Sequence, residues 1–459
     1  MKYIPIVFGI DHNNDIPIFF GSFCKFAYYA AKNKWPFVVQ KHYLEKIFSF
    51  NKDFMDEVYQ INEINSIDEK IINNVDFYII DEEQTKSVIN NFKSKEEAWI
   101  KLMNKKNNSL YLILDSILND IFCKYKNIGG FIVWRHNETI SQLAKKYGVK
   151  VIEMELSGVR KKYYNFGLSY FQFSNKYSNN ELEFRYKRFL TEYKKKQDDF
   201  PILSRTQILN LILESDKIKQ LNTIEEYDVG VALGLKKDFE TLSTNSIQND
   251  ELLKKIITFE KTENILLRKH PADANYSYDC DFDIDNSNSS LKFVSRCHKI
   301  ISSVSNINFE AMILGKTCYT LGKMPFSVFS YTDLKYNDDY VINIIDLNFL
   351  FFCYYVPYSL CLENEYLDFR MTNPSEFEIY IKHYNYILNN HSIINLKREN
   401  NIRSNYLKKC ELEEKCKLIC EKNIQLENNI REILSSKSWK ITKPFRKILK
   451  FIRGGSNEK

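Results

Sequence analysis

The stretch from Asn264 to Phe329 constrains the chain most. An apolar run, Ile265–Arg268, leads into Lys269-His270-Pro271, and an acidic loop follows. A second apolar run, Lys299 to Ser302, ends in the hydroxyl pair Ser302-Ser303 and precedes a helix carrying Phe309, Glu310 and Ala311. Two buried strands and a helix in this order read as part of a parallel α/β sheet. Hydroxyls and free amides gathered at strand ends and a helix N-terminus form an anion cradle, here with Ser302, Ser303 and Ser305. Pro271 has no N–H and fixes the exit of the chain, which holds His270 in one orientation at the mouth of the strand. The imidazole can donate to a phosphate oxygen, and Lys269 or Arg268 can add charge-assisted bonds. Taken singly, a His-Pro pair also reads as a turn and a serine pair as a helix cap.

Upstream, apolar segments at Ile4–Ile10, Phe37–Val39, Phe77–Ile80 and Tyr111–Asp115 read as strands alternating with helices. Gly129 to Trp134 is the best-formed of these strands, releasing Arg135, His136, Asn137 and Glu138 before a helix from Thr139 to Tyr147 closed by Gly148. The next strand, Val149–Met154, carries Glu153 and leads to Glu155. Ligands of such sheets bind at the carboxyl ends of strands, so His136, Asn137, Glu138, Glu153 and Glu155 are site candidates by position, with helix capping and loop solvation as the alternative. Lys176 to Gln197 is charged and reads as an exposed helical crossover. Beyond Pro201 a second α/β pattern begins, with a strand over Tyr227–Leu233 and a helix over Asn249–Phe259. Gly230 and Gly234 lack the third glycine of a dinucleotide fingerprint and read as points of close backbone approach at a strand end. The expectation is an α/β chain of two Rossmann-like domains, residues 1–200 and 201–390, with an interdomain cleft between them.

Composition sets the remaining bounds. At 459 residues two or three domains are expected, and 44% hydrophobic with 27% charged residues is a globular profile rather than a disordered one. A formal charge of +6 is too modest to indicate nucleic acid. Cysteines without a CxxC pair and the lack of a signal-peptide pattern in Met1 to Ile10 suit a reduced, cytoplasmic protein. The uncharged run Leu347 to Leu362 is shorter than a membrane span and reads as buried core. Residues 391–435 hold a 3,4-spaced series from Leu412 to Ile433, an amphipathic or coiled-coil helix that could form a homo-oligomer or equally dock against its own domain. In residues 436–459, Phe445, Ile448, Leu449 and Ile452 share a face opposite Arg446, Lys447, Lys450 and Arg453, a pattern suited to an anionic membrane surface.

In combination these motifs carry a family resemblance. His270-Pro271, Ser302-Ser303, Phe309-Glu310-Ala311-Met312, Gly315-Lys316 and Gly322, with Phe326 soon after, resemble the C-terminal domain of bacterial capsular-polysaccharide synthesis glycosyltransferases of GT-B fold. That family includes β-Kdo transferases using CMP-Kdo. Bacterial sialyltransferases are similar in pairing a His-Pro motif with a serine motif around CMP. Tyr147 to Glu155 followed by Gly158-Val159-Arg160 resembles the family's strand ending in Glu and its loop Arg, and Asp238 falls where the family has an acidic residue. The family commonly carries glutamine before that position, and this chain has none there.

The resemblance implies a GT-B-like architecture with a C-terminal helical tail. A nucleotide sugar would serve as cosubstrate, with no further cofactor and no metal, and a glycan or glycolipid as acceptor. Lys269, His270, Ser302 and Ser303 would hold the phosphate and Glu310 the ribose or cytidine, supported by Arg268, Pro271 and Ser305. A retaining reaction would use Asp238 as nucleophile with Glu155 as acid/base or support; an inverting one would use a carboxylate, Glu138 among them, as base. His136, Asn137 and Arg160 would meet the acceptor or the sugar. The segment Ser438 to Arg446 resembles tails of surface-glycan glycosyltransferases, which fits a protein peripheral on the inner face of the membrane. The alternating Asp279, Asp281, Asp283 and Asp285 suggest a DxD metal motif, but their polar setting reads as a solvated loop. Two rival readings are a CDP-glycerol-type polyol-phosphate transferase and a non-catalytic glycan-binding or scaffold subunit. The first typically has Asp beside the serine pair, where this chain has Ile301.

Overall fold

The structure, a computed structural model, describes residues 1–10, 17–173, 179–221, 225–235, 246–259, 264–273, 278, 281–335 and 340–390. Asp238, the 391–435 helix and the 436–459 tail lie outside them. Twelve strands are described: β1 (Lys2–Val7), β2 (Pro36–Gln40), β3 (Asp76–Ile80), β4 (Ile128–Trp134), β5 (Lys150–Leu156), β6 (Leu168–Phe173), β7 (Tyr227–Ala232), β8 (Ile265–Arg268), β9 (Asp283–Ile284), β10 (Cys297–Ser302), β11 (Thr317–Thr320) and β12 (Val356–Pro357).

They form two sheets, ordered β12-β6-β5-β4-β1-β2-β3 and β11-β10-β7-β8-β9. Strands β1 to β5 are mutually parallel where they pair, as are β7 to β11. Each set has the 3-2-1-4-5 order of a doubly wound Rossmann half, so the protein is α/β with two Rossmann-like halves, the GT-B-like plan. Parallel sheets need cover on both faces, and the strand sequences supply it. Along β4, Phe131 and Val133 pack with Leu110, Leu114 and Leu118 on one side, while Ile132 between them joins Phe23, Phe37 and Val58 on the other. The two-residue period of a strand sends neighbours to opposite faces. Gly230 lies mid-strand in β7 rather than at its end; a Cβ there would lie 2.7 Å from Cys297 Sγ, so the glycine lets the strand and its neighbours pack closely.

Several expectations change. Tyr111–Asp115 is not a strand but part of the Asn108–Lys124 helix, whose N-terminus is capped by the Asn107 side chain accepting from Leu110 N at 2.8 Å. Leu110, Leu114, Leu118 and Ile121 recur at helical spacing and are all buried. The crossover helix, Asn179–Lys195, is not exposed all round: Leu182, Arg185 and Phe189 are buried, and Arg185 pairs with Glu376 at 2.9 Å. That contact belongs to a return of the chain to the first sheet. After the second sheet, β12 pairs antiparallel with β6, Val356 opposite Ser169, so part of the 201–390 segment completes the N-terminal half. Leu347 to Leu362 is buried core on this return path. Both sheets belong to one unit, Met1–Ser392.

Candidate functional site

In a doubly wound sheet the ligand crevice opens where the strand order reverses, at the carboxyl ends of the two central strands. In the second sheet these are β7 and β10. Register sets Ala232 level with both Arg268 of β8 and Ser302 of β10. Lys269-His270, Ser302-Ser303 and the loop after Gly234 therefore leave the sheet at one edge. His270 enters a short 3-10 turn, Pro271–Asp273, in which Asp273 N donates to His270 O at 2.8 Å. Ser303 Oγ donates to Ile247 O at 2.7 Å, tying the serine loop to the segment that leads into the Asn249–Phe259 helix. Ser305 N donates to Ser302 Oγ at 3.4 Å, and Ile307 N to Ser305 Oγ at 3.3 Å, at the start of the Ile307–Leu314 helix. Asn306, at the cap of that helix, makes no capping side-chain bond.

Arg268 departs from its expected place among the phosphate ligands. Its guanidinium is bound to the Asp285 carboxylate and donates to Ser287 O at 3.0 Å. Asp285 is buried and lies 3.7 Å from Arg296 as well, so this member of the acidic run is a structural ion-pair partner and not part of a solvated loop. Asp283 forms β9 and accepts from Tyr227 Oη at 2.8 Å. Among the described residues no group of His, Cys, Asp and Glu is placed to hold a metal ion.

Glu310 is buried on the helix that follows the serines. Its carboxyl accepts from Ser290 Oγ at 2.9 Å and from the Tyr164 hydroxyl, which comes from the first half. Burial raises the pKa of this carboxyl, against the opposing pull of those hydrogen bonds and of Arg160 and Arg268. In place of an open ribose contact, Glu310 bridges the two halves. Around it, Tyr170 Oη donates to Asn306 Oδ1 at 3.4 Å, and Phe309 packs on Tyr355 with ring centroids 4.4 Å apart.

The central strands of the first sheet are β1 and β4, and the β4 end carries a polar chain. Arg135 has φ +75°, a left-handed conformation unusual for a residue with a Cβ, and donates to Glu155 at 2.7 Å. The turn leaves His136 buried, with Nδ1 2.5 Å from Glu153 and Nε2 3.5 Å from Glu138. Glu153 also accepts from Gln172 Nε2 at 2.8 Å, so its carboxylate is held from two sides and fixes the ring. Glu138 is partly exposed and accepts from Gln142 Nε2 at 3.1 Å. Asn137 does not reach into the site: its Oδ1 accepts from Thr139 N and Ile140 N at 3.0 and 3.3 Å, the N-cap alternative. Arg160 donates through Nε to Ser157 O at 3.1 Å. Burial depresses its pKa, and the nearby charges of Glu155 and Glu310, one from each half, oppose that. Sequence reading missed Gln172 and Tyr164. Gln172 stands directly across from Glu153 in the β5/β6 register, and a period-2 reading of Leu168–Phe173 as a strand would have flagged it.

Comparison with known proteins gives distant structural likenesses. No family model matches the chain, and no curated protein does. A β-Kdo 2,7 transferase, KpsC of Thermosulfurimonas dismutans, is similar at 18% identity over 50% of this chain and 78% of its own, with a TM-score of 0.33. UDP-GlcNAc 2-epimerase from Neisseria meningitidis is similar at 11% identity over 83% of this chain and 96% of its own, with a TM-score of 0.28. The wall teichoic acid polymerase TagF is similar at 13% identity over 90% of this chain and 89% of its own, with a TM-score of 0.22. At such identities and scores, function is read from this chain's own residues.

Proposed function

We propose that the chain is a glycosyltransferase that moves a sugar from a nucleotide-activated donor, a CMP-sugar of the Kdo type, to a surface glycan or glycolipid. The observation that supports this reading is that Lys269-His270 and Ser302-Ser303 follow the carboxyl ends of β8 and β10, the strands on either side of β7, with the Ile307–Leu314 helix next in the chain. Lys269 and His270 offer a phosphate there an ammonium and an imidazole, beside the loop that Ser302 and Ser303 shape through their own hydrogen bonds. In the reaction, the bond between the anomeric carbon and the phosphate oxygen breaks and its electron pair stays on the nucleotide. Lys269 and His270 stabilise that charge. The acceptor oxygen gains the sugar and gives up a proton. Glu138 suits the role of base, since it is partly open while the Glu153-His136 pair stands behind it. Glu155, paired with Arg135, is the supporting carboxylate. Asp238 is the nucleophile if configuration is retained. Anionic membrane binding through residues 436–459 would bring the cleft to a lipid-linked acceptor.

Melting with CMP, CDP, UDP and GDP tests the reading, because a ligand of the folded state raises the melting temperature by mass action. CMP is expected to give the largest rise. A shift with UDP or GDP and none with CMP would remove the CMP-sugar assignment. Glu138→Gln should lower kcat by about 100-fold or more while leaving the nucleotide shift intact.

A further inference from the structure

A cavity of about 440 Å³ is lined by Tyr59, Gln60, Glu63, Lys161, Ser359 and Tyr386 among others, with no residue of the His270 and Ser302 strand ends in its wall. Its volume falls within the roughly 300–1,000 Å³ of small-molecule sites. Glu63 follows the Lys52–Asn62 helix in a left-handed conformation, φ +52°, strained for a glutamate, and its carboxylate is anchored by the Gly167 N–H. The approach is close: a Cβ on Gly167 would lie 2.7 Å from Glu63 Oε1. Tyr386 Oη donates to Ser359 Oγ at 3.0 Å, and Ser359 in turn bonds Glu63. Burial raises the Glu63 pKa, while Lys25, the Gly167 and Ser359 bonds and Lys161 draw it down. The buried Lys25 ammonium donates to Asn62 O at 2.9 Å and Tyr358 O at 2.7 Å, the residues that precede Glu63 and Ser359 in the chain.

Two tyrosines, a carboxylate, the Lys161 ammonium, a serine hydroxyl and a glutamine amide line the cavity. An isolated cation meets the Lys161 ammonium there, and an apolar ligand would cover the exposed Gln60 amide without bonding it. A polyhydroxylated ring satisfies both conditions, laying its C–H face on an aromatic side chain and its hydroxyls on the carboxylate and amide. We infer that this cavity is a saccharide-binding site, separate from the nucleotide edge, that holds a distal part of the acceptor glycan. The acceptor role rests on the glycosyltransferase reading; saccharide binding at the cavity does not. Position supports the link. The segment from Ser157 to Gly167 supplies Lys161 and Gly167 here, and Arg160 and Tyr164 to the neighbourhood of Glu310.

Saturation-transfer NMR with lactose, N,N′-diacetylchitobiose and a Kdo disaccharide at millimolar concentration tests the site on the full chain. At least one sugar is expected to give signal on the wild type, and Glu63→Gln should weaken that binding about tenfold or more. Glu63 supports local backbone, so Gln60→Trp, an exposed change that fills the cavity, serves as the second variant and should abolish the signal. His270→Ala should leave it unchanged. Lack of signal with all three sugars, or signal that survives Gln60→Trp, would overturn the site. Nucleotide melting shifts on the same samples separate the two readings, since sugar binding without nucleotide binding leaves the cavity and removes the transferase.

Discussion

At the residue scale, His270 and Glu310 divide the work expected of the second half. His270 leaves β8 at the edge where Ser302 and Ser303 leave β10, with β7 between them. Replacing it by alanine should remove a charge-assisted contact and weaken nucleotide binding by about 1.5–3 kcal/mol, measurable by calorimetry, with little change in melting temperature of the free protein. Glu310 is internal, and its effect should be on stability. Its pKa is raised in the folded state, so the fold binds the proton more tightly than the unfolded chain does. The stability that this proton contributes is full below the ordinary carboxyl pKa of 4.5 and is lost as pH rises toward the folded value. Glu310→Gln keeps an acceptor for Tyr164 and Ser290 without the ionisation. Relative to wild type it should gain stability as pH rises from 5 to 8, about 1.4 kcal/mol for each unit by which the folded pKa exceeds the unfolded one. Urea denaturation across that range checks this, and an equal offset at every pH would contradict it.

At the scale of elements, the return of the chain to the first sheet depends on a buried ion pair. Arg185 of the Asn179–Lys195 helix is held by Glu376 and donates to Cys353 O at 2.7 Å. Arg185→Ala should cost about 3 kcal/mol, because it leaves the buried Glu376 with only the more distant Arg188, 3.9 Å away, whereas an Arg185→Met, Glu376→Leu double change should cost far less. Denaturant melts of the single and double variants measure the difference. Elements were legible in the sequence where local signals agreed. The unit from Gly129 to Met154 has two apolar strands, a helix with its own cap and a closing Gly148 in the left-handed region. Tyr111–Asp115 misled because five residues rich in apolar side chains have no period of their own; the helical spacing shows only when Leu118 and Ile121 are counted with them. β12 is two residues long and is defined by a partner some 190 positions earlier. The site divides in the same way. His270 and Ser302 are marked by motifs that are continuous in the chain. The Tyr164-Glu310 and Glu153-Gln172 contacts join residues 146 and 19 positions apart and became visible only with the fold.

At the scale of the molecule, each doubly wound sheet has a switch point: the proposed phosphate site lies at the strand ends of the second, and a carboxylate beside a buried imidazole at those of the first. The Tyr164 hydrogen bond to Glu310 joins the halves inside one unit, with Arg160 near enough to feel the Glu310 charge. Among the described residues no helix is long and apolar enough to cross a membrane, and the basic segment 436–459 is proposed to supply membrane contact. Deleting it should release the protein from anionic vesicles in a flotation assay while nucleotide binding persists. The central claim is that the β8 and β10 edge holds the phosphate of a nucleotide. Calorimetric titration of CMP into the wild type and the His270→Ala variant tests it most directly. Saturable binding to the wild type, weakened at least about tenfold in the variant, is the expected result. Equal affinity in the two proteins, or no binding of any nucleotide to the wild type, would contradict it.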